Sequence, residues 1–318
     1  MQPASPPLTL DQARRRRLAL ALGLGLGSGG GLHGLAMASP MVGRDLRVYP
    51  PADTSSLKPL LQALRQHCPN LLFDSEAPPL DLRKPGLHLA LGPQGLRRAL
   101  AQPAQVPIVS ALTSSAVYRR MLGGNPHESG LITAIHAEAS PLAQMQVVSA
   151  LFERKVTVGV LLSDGSAHME RPLRQAAQAQ GLDIQILNVA ANQDPARALN
   201  GLANIQVLMA VPDGALYTPD NLRGVLESTY RRGMPVIGFS QATVAAGTLA
   251  CAHADLDDAT TDLMELLDNL PANPTSLPEA RHPRYWRVAI NDSVARSLGL
   301  VVSERLRTLG SRPGGRSA

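Results

Sequence analysis

Residues 206–219 read Q-V-L-M-A-V-P-D-G-A-L-Y-T-P, and their reading decides the fold. Val207-Leu208-Met209-Ala210-Val211 is an apolar run too short for a core helix and bounded by turn residues. It reads as a strand buried on both faces. Pro212-Asp213-Gly214 is a turn signal. Leu222, Val225 and Leu226 then recur at helical spacing. A strand, a loop and a helix in that order put the loop at the carboxyl edge of a parallel sheet, where open α/β sheets bind ligands.

The same unit recurs on both sides. Downstream, 235–239 is a strand ending at Ser240-Gln241, 244–250 is a small-residue stretch leading into another strand, and 257–270 is an amphipathic helix. Upstream, 155–162 (K-V-T-V-G-V-L-L) is the clearest strand, with Ser163-Asp164-Gly165-Ser166 as its loop and 169–180 as its helix. Gly181 ends that helix as a C′ glycine, 182–189 is a strand, and Asp194-Pro195 opens a helix to 202. An earlier series runs through strands at 45–49, 71–73, 86–91, 106–109 and 130–135 and helices at 56–67, 94–101, 116–122 and 141–152. The expected fold class is therefore α/β, two doubly wound parallel-sheet domains in tandem joined by a hinge. The expected boundaries are 39–152 and 153–270. Residues 271–310 form a Pro-rich crossover with a last strand and helix that complete the first domain, and 311–318 form a disordered tail.

The chain has 318 residues, more than one core usually needs, and 44% of them are hydrophobic. Aromatic residues make up only 3%, which disfavours a sugar site walled by stacked rings. Residues 1–38 read as an address: Arg14-Arg15-Arg16-Arg17, an apolar stretch from Leu18, a glycine run, and Ala36-Met37-Ala38 as a cleavage signal. The expectation is export to the periplasm with cleavage, by the Sec route or the twin-arginine route. Removing those residues removes four Arg and one Asp, which takes the formal charge from +5 to about +2. With no run of basic residues longer than a pair such as Arg231-Arg232 after position 38, there is no footprint for nucleic acid. Cys68 and Cys251 are the only cysteines; an oxidising compartment would allow them to pair, and buried free thiols are equally ordinary.

Several chemistries are disfavoured. Gly23-x-Gly25-x-Gly27 lies inside the address segment, so it is no dinucleotide fingerprint. His88, His136 and His253 are dispersed and read as surface or core histidines rather than triad members. No H-E-x-x-H or C-x-x-C spacing points to a metal, and the expectation is neither metal nor cofactor. Asp255, Asp257 and Asp258 ahead of a helix read as dipole caps.

From Leu131 to Leu300 the chain resembles the ABC-transporter substrate-binding proteins related to tryptophan and tyrosine uptake lipoproteins. The residues that carry the resemblance are Val156 to Leu162 with the Ser/Asp/Gly loop after it, Val211-Pro212-Asp213-Gly214, and Arg232-Gly233-Met234-Pro235-Val236-Ile237-Gly238. Further matches are Ala246-Gly247 with Leu249-Ala250, and Asn291-Asp292-Ser293-Val294-Ala295 with Leu298-Gly299-Leu300. The first domain departs from the pattern. It has Leu112-Thr113-Ser114-Ser115 where such proteins tend to carry Asp-Pro, an altered stretch at 123–130, and no cysteine after the apolar segment for a lipid anchor.

The resemblance implies a monomeric binding protein without enzymatic activity. It would close two domains over a small organic solute, amino-acid-like by preference, and dock to an ABC transporter permease. A ligand sensor of the same fold docking to a membrane receptor and an exported α/β enzyme are the alternatives. If two domains close on a solute, the loops at strand carboxyl ends supply the contacts. The candidates are Gly92, Ser110, Thr113, Ser114, Ser163, Asp164, Asp213, Gly214, Ser240 and Gln241. Thr113 and Ser114 at a helix start suit a carboxylate. Asp213 suits an ammonium or hydroxyl group. Tyr217 and Phe239 could flank an apolar part of the solute. Each Ser, Thr and Asp has a plainer role as a helix cap or turn residue.

Overall fold

A computed structural model describes residues 45–313 apart from 80, 82, 84–85, 126–129, 191 and 272–273. The expected export signal, part of the altered stretch at 123–130, and residues 314–318 of the tail lie outside the described residues. In chain order the strands are β1 (Asp45–Tyr49), β2 (Leu71–Phe73), β3 (Gly86–Leu91), β4 (Ile108–Thr113), β5 (Ile132–His136), β6 (Thr157–Leu162), β7 (Asp183–Asn188), β8 (Val207–Met209), β9 (Val236–Ile237), β10 (Ala250–His253), β11 (Trp286–Ile290) and β12 (Gly310–Ser311). The helices are α1 (Lys58–His67), α2 (Gly92–Leu100), α3 (Ser115–Leu122), α4 (Pro141–Phe152), α5 (Glu170–Ala179), α6 (Pro195–Ala198), α7 (Pro219–Tyr230), α8 (Gln241–Ala245), α9 (Leu256–Asn269), α10 (Asp292–Ser297) and α11 (Glu304–Thr308).

Two sheets result. The first has the order β2-β1-β3-β4-β5, all parallel. The second has the order β12-β11-β10-β9-β8-β6-β7. Its parallel part, read from β6, repeats the order of the first sheet. This is the flavodoxin-like doubly wound order, with its switch point between the first and third strands. Strand alternation explains the layering in the first lobe. Leu46, Val48, Leu87, Leu89, Leu91 and Val109 face α1 and α9, while Tyr49, Ala90, Ile108 and Ala134 face α2 and α3. Each fully buried Leu among them contributes about 1.5–3 kcal/mol through the water it leaves.

Three features differ from the sequence expectation. Helix α4, expected with the first domain, packs into the core of the second: Ala143, Met145, Val147, Val148 and Leu151 join β6, β8 and β10. Gln144 fixes it there, its amide donating to the Ala252 carbonyl (2.8 Å) and accepting from the Ala252 N–H (2.9 Å). Helix α9 makes the opposite exchange, with Leu263, Leu266, Leu267 and Leu270 closing the first core against Leu60 and Leu64. The first crossing therefore lies at 137–140, not at the expected boundary between 152 and 153. Hydrophobic spacing marks the buried stripe of a helix but not the sheet that covers it.

The third difference is β11, which does not complete the first sheet. It pairs antiparallel with β10, Ala250 opposite Ile290 and His253 opposite Arg287. The chain returns from α9 along 281–285, beside the carboxyl ends of the strands, as the Ile135–Arg281 bridge records. It re-enters the second sheet from that end, so the strand must run against its neighbours. The return is held by acids of α9. Buried Asp262 accepts from Arg281 (2.7 and 2.8 Å) and Arg284 (2.8 Å), and Asp258 accepts from Arg287 (2.8 and 2.9 Å). Asp255 does cap α9, accepting from the Asp258 N–H at 2.8 Å, and also pairs with Arg287. Cys68 is in the first core and Cys251 on β10; both are buried and free.

Candidate functional site

The two sheets meet at their carboxyl ends. Glu138, just past β5, bridges His253 at the end of β10, and the Arg281 carbonyl accepts from the His136 N–H at 2.8 Å. The two lips of the junction are built differently.

The first lip begins at the end of β4. This strand runs to Thr113 rather than stopping at Ser110, so Ser110 lies inside the sheet between Ala90 and Ala134 and is fully buried. It is a core position, not a strand-end contact. Leu112 has φ +60, an uncommon value for a bulky residue, and the register with β5 shifts there. The shift sets Thr113 opposite His136. The Thr113 hydroxyl and His136 Nδ1 are both buried without a hydrogen-bond partner. Burial first, then the neighbouring charges of His282, His168 and Arg119, pushes the His136 pKa down to about 3, so the ring is neutral. Its ring packs edge-on to Tyr118 and to His282, with centroids 5.4 and 5.3 Å away.

Ser114 is the N-cap of α3, accepting from the Val117 N–H at 3.4 Å. Ser115, the first residue of the helix, donates its N–H to both carboxylate oxygens of Glu138 (2.9 and 3.2 Å) and its hydroxyl to Oε1. Glu138 is 4% exposed. The helix start expected to take a solute carboxylate thus already holds a carboxylate of the chain itself. Gly92 opens α2 with φ +71 at the switch point of the first sheet, a conformation that glycine adopts freely. Three residues on, a Cβ at Gly95 would lie on the Tyr49 carbonyl, so that helix sits close over β1.

The second lip spans the matching switch point, between β6 and β8. Asp213 ties the two loops together: Oδ2 accepts from the hydroxyls of Ser163 (2.5 Å) and Ser166 (2.6 Å), and Oδ1 from the N–H groups of Ala215 (2.9 Å) and Leu216 (3.4 Å). Burial raises its pKa, but these bonds outweigh burial and hold it below the ordinary carboxylate range. With both oxygens engaged, Asp213 is an internal brace. The expected free acceptor for an ammonium group is not what the geometry supplies. Asp164 and Gly214 are exposed at the rim. Ser240 and Thr243 form a capping box at the start of α8, and Gln241 Nε2 lies 3.4 Å from His253 Nε2. The rings of Tyr217 and Phe239 pack against each other, with centroids 6.2 Å apart. The Tyr217 hydroxyl is buried without a partner, and burial raises its pKa. His168, on the turn after β6, also has a buried, unpartnered Nε2, and burial lowers its pKa.

This arrangement was compared with known proteins. No protein-family model matches the sequence, and no curated protein does. Solved structures do. A ligand-free, open substrate-binding protein with adhesive properties from Clostridium difficile superposes with a TM-score of 0.59 at 13% identity, covering 83% of this chain and 97% of that one. The ABC domain from Streptococcus pneumoniae in complex with L-Trp gives 0.52 at 15%, covering 82% and 97%. A conserved domain protein from Vibrio cholerae gives 0.52 at 16%, covering 83% and 97%. The fold is that of the periplasmic solute-binding proteins. Four buried polar atoms without a hydrogen-bond partner belong to residues at or after strand carboxyl ends: Thr113 and His136 in the first lobe, His168 and Tyr217 in the second.

Sequence reasoning named Ser163 and Asp213 as separate solute contacts, whereas the structure bonds them to each other, and it did not name His136, Glu138 or His168 as site residues. His136 ends β5, and Glu138 and His168 follow a strand within six residues, so the strand-end rule applied to Ser, Thr and Asp would have found them if it had been extended to His and Glu. Among the described residues no group of three His, Cys, Asp or Glu is placed to hold a metal ion.

Proposed function

We propose that this chain is an exported solute-binding protein. It closes two lobes over a small organic solute and presents it to the permease of an ABC importer, acting by hinge movement without bond chemistry. The observation that carries this reading is the pair of lips itself. Thr113 and His136 on one lobe, and Tyr217 and His168 on the other, each bury a polar atom with no partner. Such atoms cost free energy unless something fills their hydrogen bonds. Three chain crossings, at 137–140, 254–255 and 281–285, supply the hinge. The L-Trp complex and the open substrate-binding protein named above are consistent with solute binding. The sequence pattern at 14–38 supports export, and no described helix is long and apolar enough to cross a membrane. An amino-acid-like solute would need a carboxylate partner other than the Ser115 N–H, which Glu138 occupies.

The test is native mass spectrometry of the full chain purified without refolding, with small-angle scattering before and after removal of bound solute. The expected result is a one-to-one small-molecule adduct and a more compact form when loaded. The reading fails if there is no adduct and no thermal shift across a broad metabolite library. Turnover of a bound compound would replace it with an enzymatic reading.

A further inference from the structure

We infer that Glu138 acts as a built-in carboxylate on the first lip and makes the cleft select solutes that carry no carboxylate of their own. This deepens the solute-binding reading and rests on it for the word solute, but the occupancy of the helix start stands on its own geometry. The N-terminus of α3 is a place where two backbone and hydroxyl donors converge on one anion. That anion is supplied from within the chain and is held from three directions. Ser115 binds its carboxylate, His253 bridges its backbone, and His282 Nδ1 lies 3.1 Å from its carbonyl oxygen.

A solute carboxylate brought to this lip meets like charge from Glu138 and finds the strongest donors taken. What remains free on the lip is neutral: the Thr113 hydroxyl and His136 Nδ1, both at least nine-tenths buried. The groups described on the second lip are not cationic either: Asp213 is saturated by its own loops, and Tyr217 and His168 offer neutral atoms. Among the described residues, Arg119 is the Lys or Arg whose charge acts on both histidines, and it is exposed, so its charge is screened. Neutral hydroxyls and imidazoles facing an internal carboxylate suit an uncharged or cationic polar solute.

The experiment uses the full chain with Glu138→Ala and Glu138→Gln, and propionate as the probe, with chloride at equal ionic strength as the control. Glu138→Ala bares the helix start; its melting temperature should fall and recover with propionate but not with chloride. Wild type and Glu138→Gln, which keeps an acceptor oxygen in place, should not respond. If Glu138→Ala does not fold in plain buffer, refolding is the readout: soluble protein recovered with propionate alone supports the inference, and no recovery with either salt overturns it. Equal rescue of Glu138→Gln also overturns it. A mixture of free L-amino acids should leave the wild-type melting temperature unchanged, and tight binding of any of them would sink the selectivity while leaving the solute-binding reading intact. Propionate rescue in a protein that binds no solute at all would do the reverse.

Discussion

Each lip carries a buried acid past the carboxyl end of a strand, the third parallel strand of its lobe for Asp213 and the fifth for Glu138, and the two acids differ in how completely they are engaged. Asp213 receives four donors, all from its own lobe and from both sides of the switch point. Among the described residues, the Glu138 carboxylate receives its donors from Ser115 alone, and Glu138 sits on a crossing between the lobes. A carboxylate saturated within one loop cluster is a brace and cannot sense a ligand. A carboxylate on a crossing with a single partner residue is tied to whatever the lobes do. The same residue chemistry past the carboxyl end of a strand therefore has different consequences, decided by how many donors the local chain can aim at it.

The largest way to test that contrast is Asp213→Ala. It strands two hydroxyls and two N–H groups and should cost about 3 kcal/mol in urea denaturation, at the upper end for a lost buried partner. Asp213→Asn should recover part of that loss; no loss in either variant would make the two acids equivalent.

Next in size is an acid-side effect from the first lip. The folded-state pKa of His136 is depressed from 6.5 to about 3, so the unfolded chain binds a proton in that window that the folded chain does not. Stability is therefore full above the unfolded value and is lost as pH falls from 6.5 toward 3, by on the order of 2 kcal/mol at pH 5. The lowered values of His168 and His253 act in the same direction. Asp213 and Asp262, also depressed, add their losses below the ordinary carboxylate range. In His136→Phe the slope between pH 6.5 and 5 should flatten in thermal melts; an unchanged slope would remove His136 from the account.

Smaller is Ser240→Ala, which removes an N-cap and should cost about 1 kcal/mol with solute affinity unchanged. A tenfold loss of affinity with stability intact would instead make Ser240 a contact. Smallest and opposite in sign is Tyr217→Phe. Its hydroxyl has no partner to lose, so the variant should be at least as stable as wild type, by up to about 1 kcal/mol, while binding of the native solute weakens.

Most of the secondary structure was legible because both sheets are buried on both faces and their strands read as apolar runs. Val207 to Met209, Thr157 to Leu162 and Gly86 to Leu91 are examples. The ends of β4 were not legible. The left-handed Leu112 carries the strand three residues further than the apolar run suggests, because the bulge depends on pairing with β5. The site was legible as a set of loops but not as a set of atoms. Ser163 and Asp213 are 50 residues apart, and nothing local indicates that they saturate each other.

By itself the sequence determined the element types, the two series of strand–loop–helix units, and the sheet edge at which the loops lie, since these follow from local periodicity and turn chemistry. Only the tertiary structure decided which lobe receives α4 and α9, that β11 runs antiparallel, and that Glu138 rather than a solute holds the start of α3. The reason is the same in each case: an apolar stripe or a hydrogen-bonding group fixes what it needs, and the partner that meets the need is chosen by the folded chain as a whole.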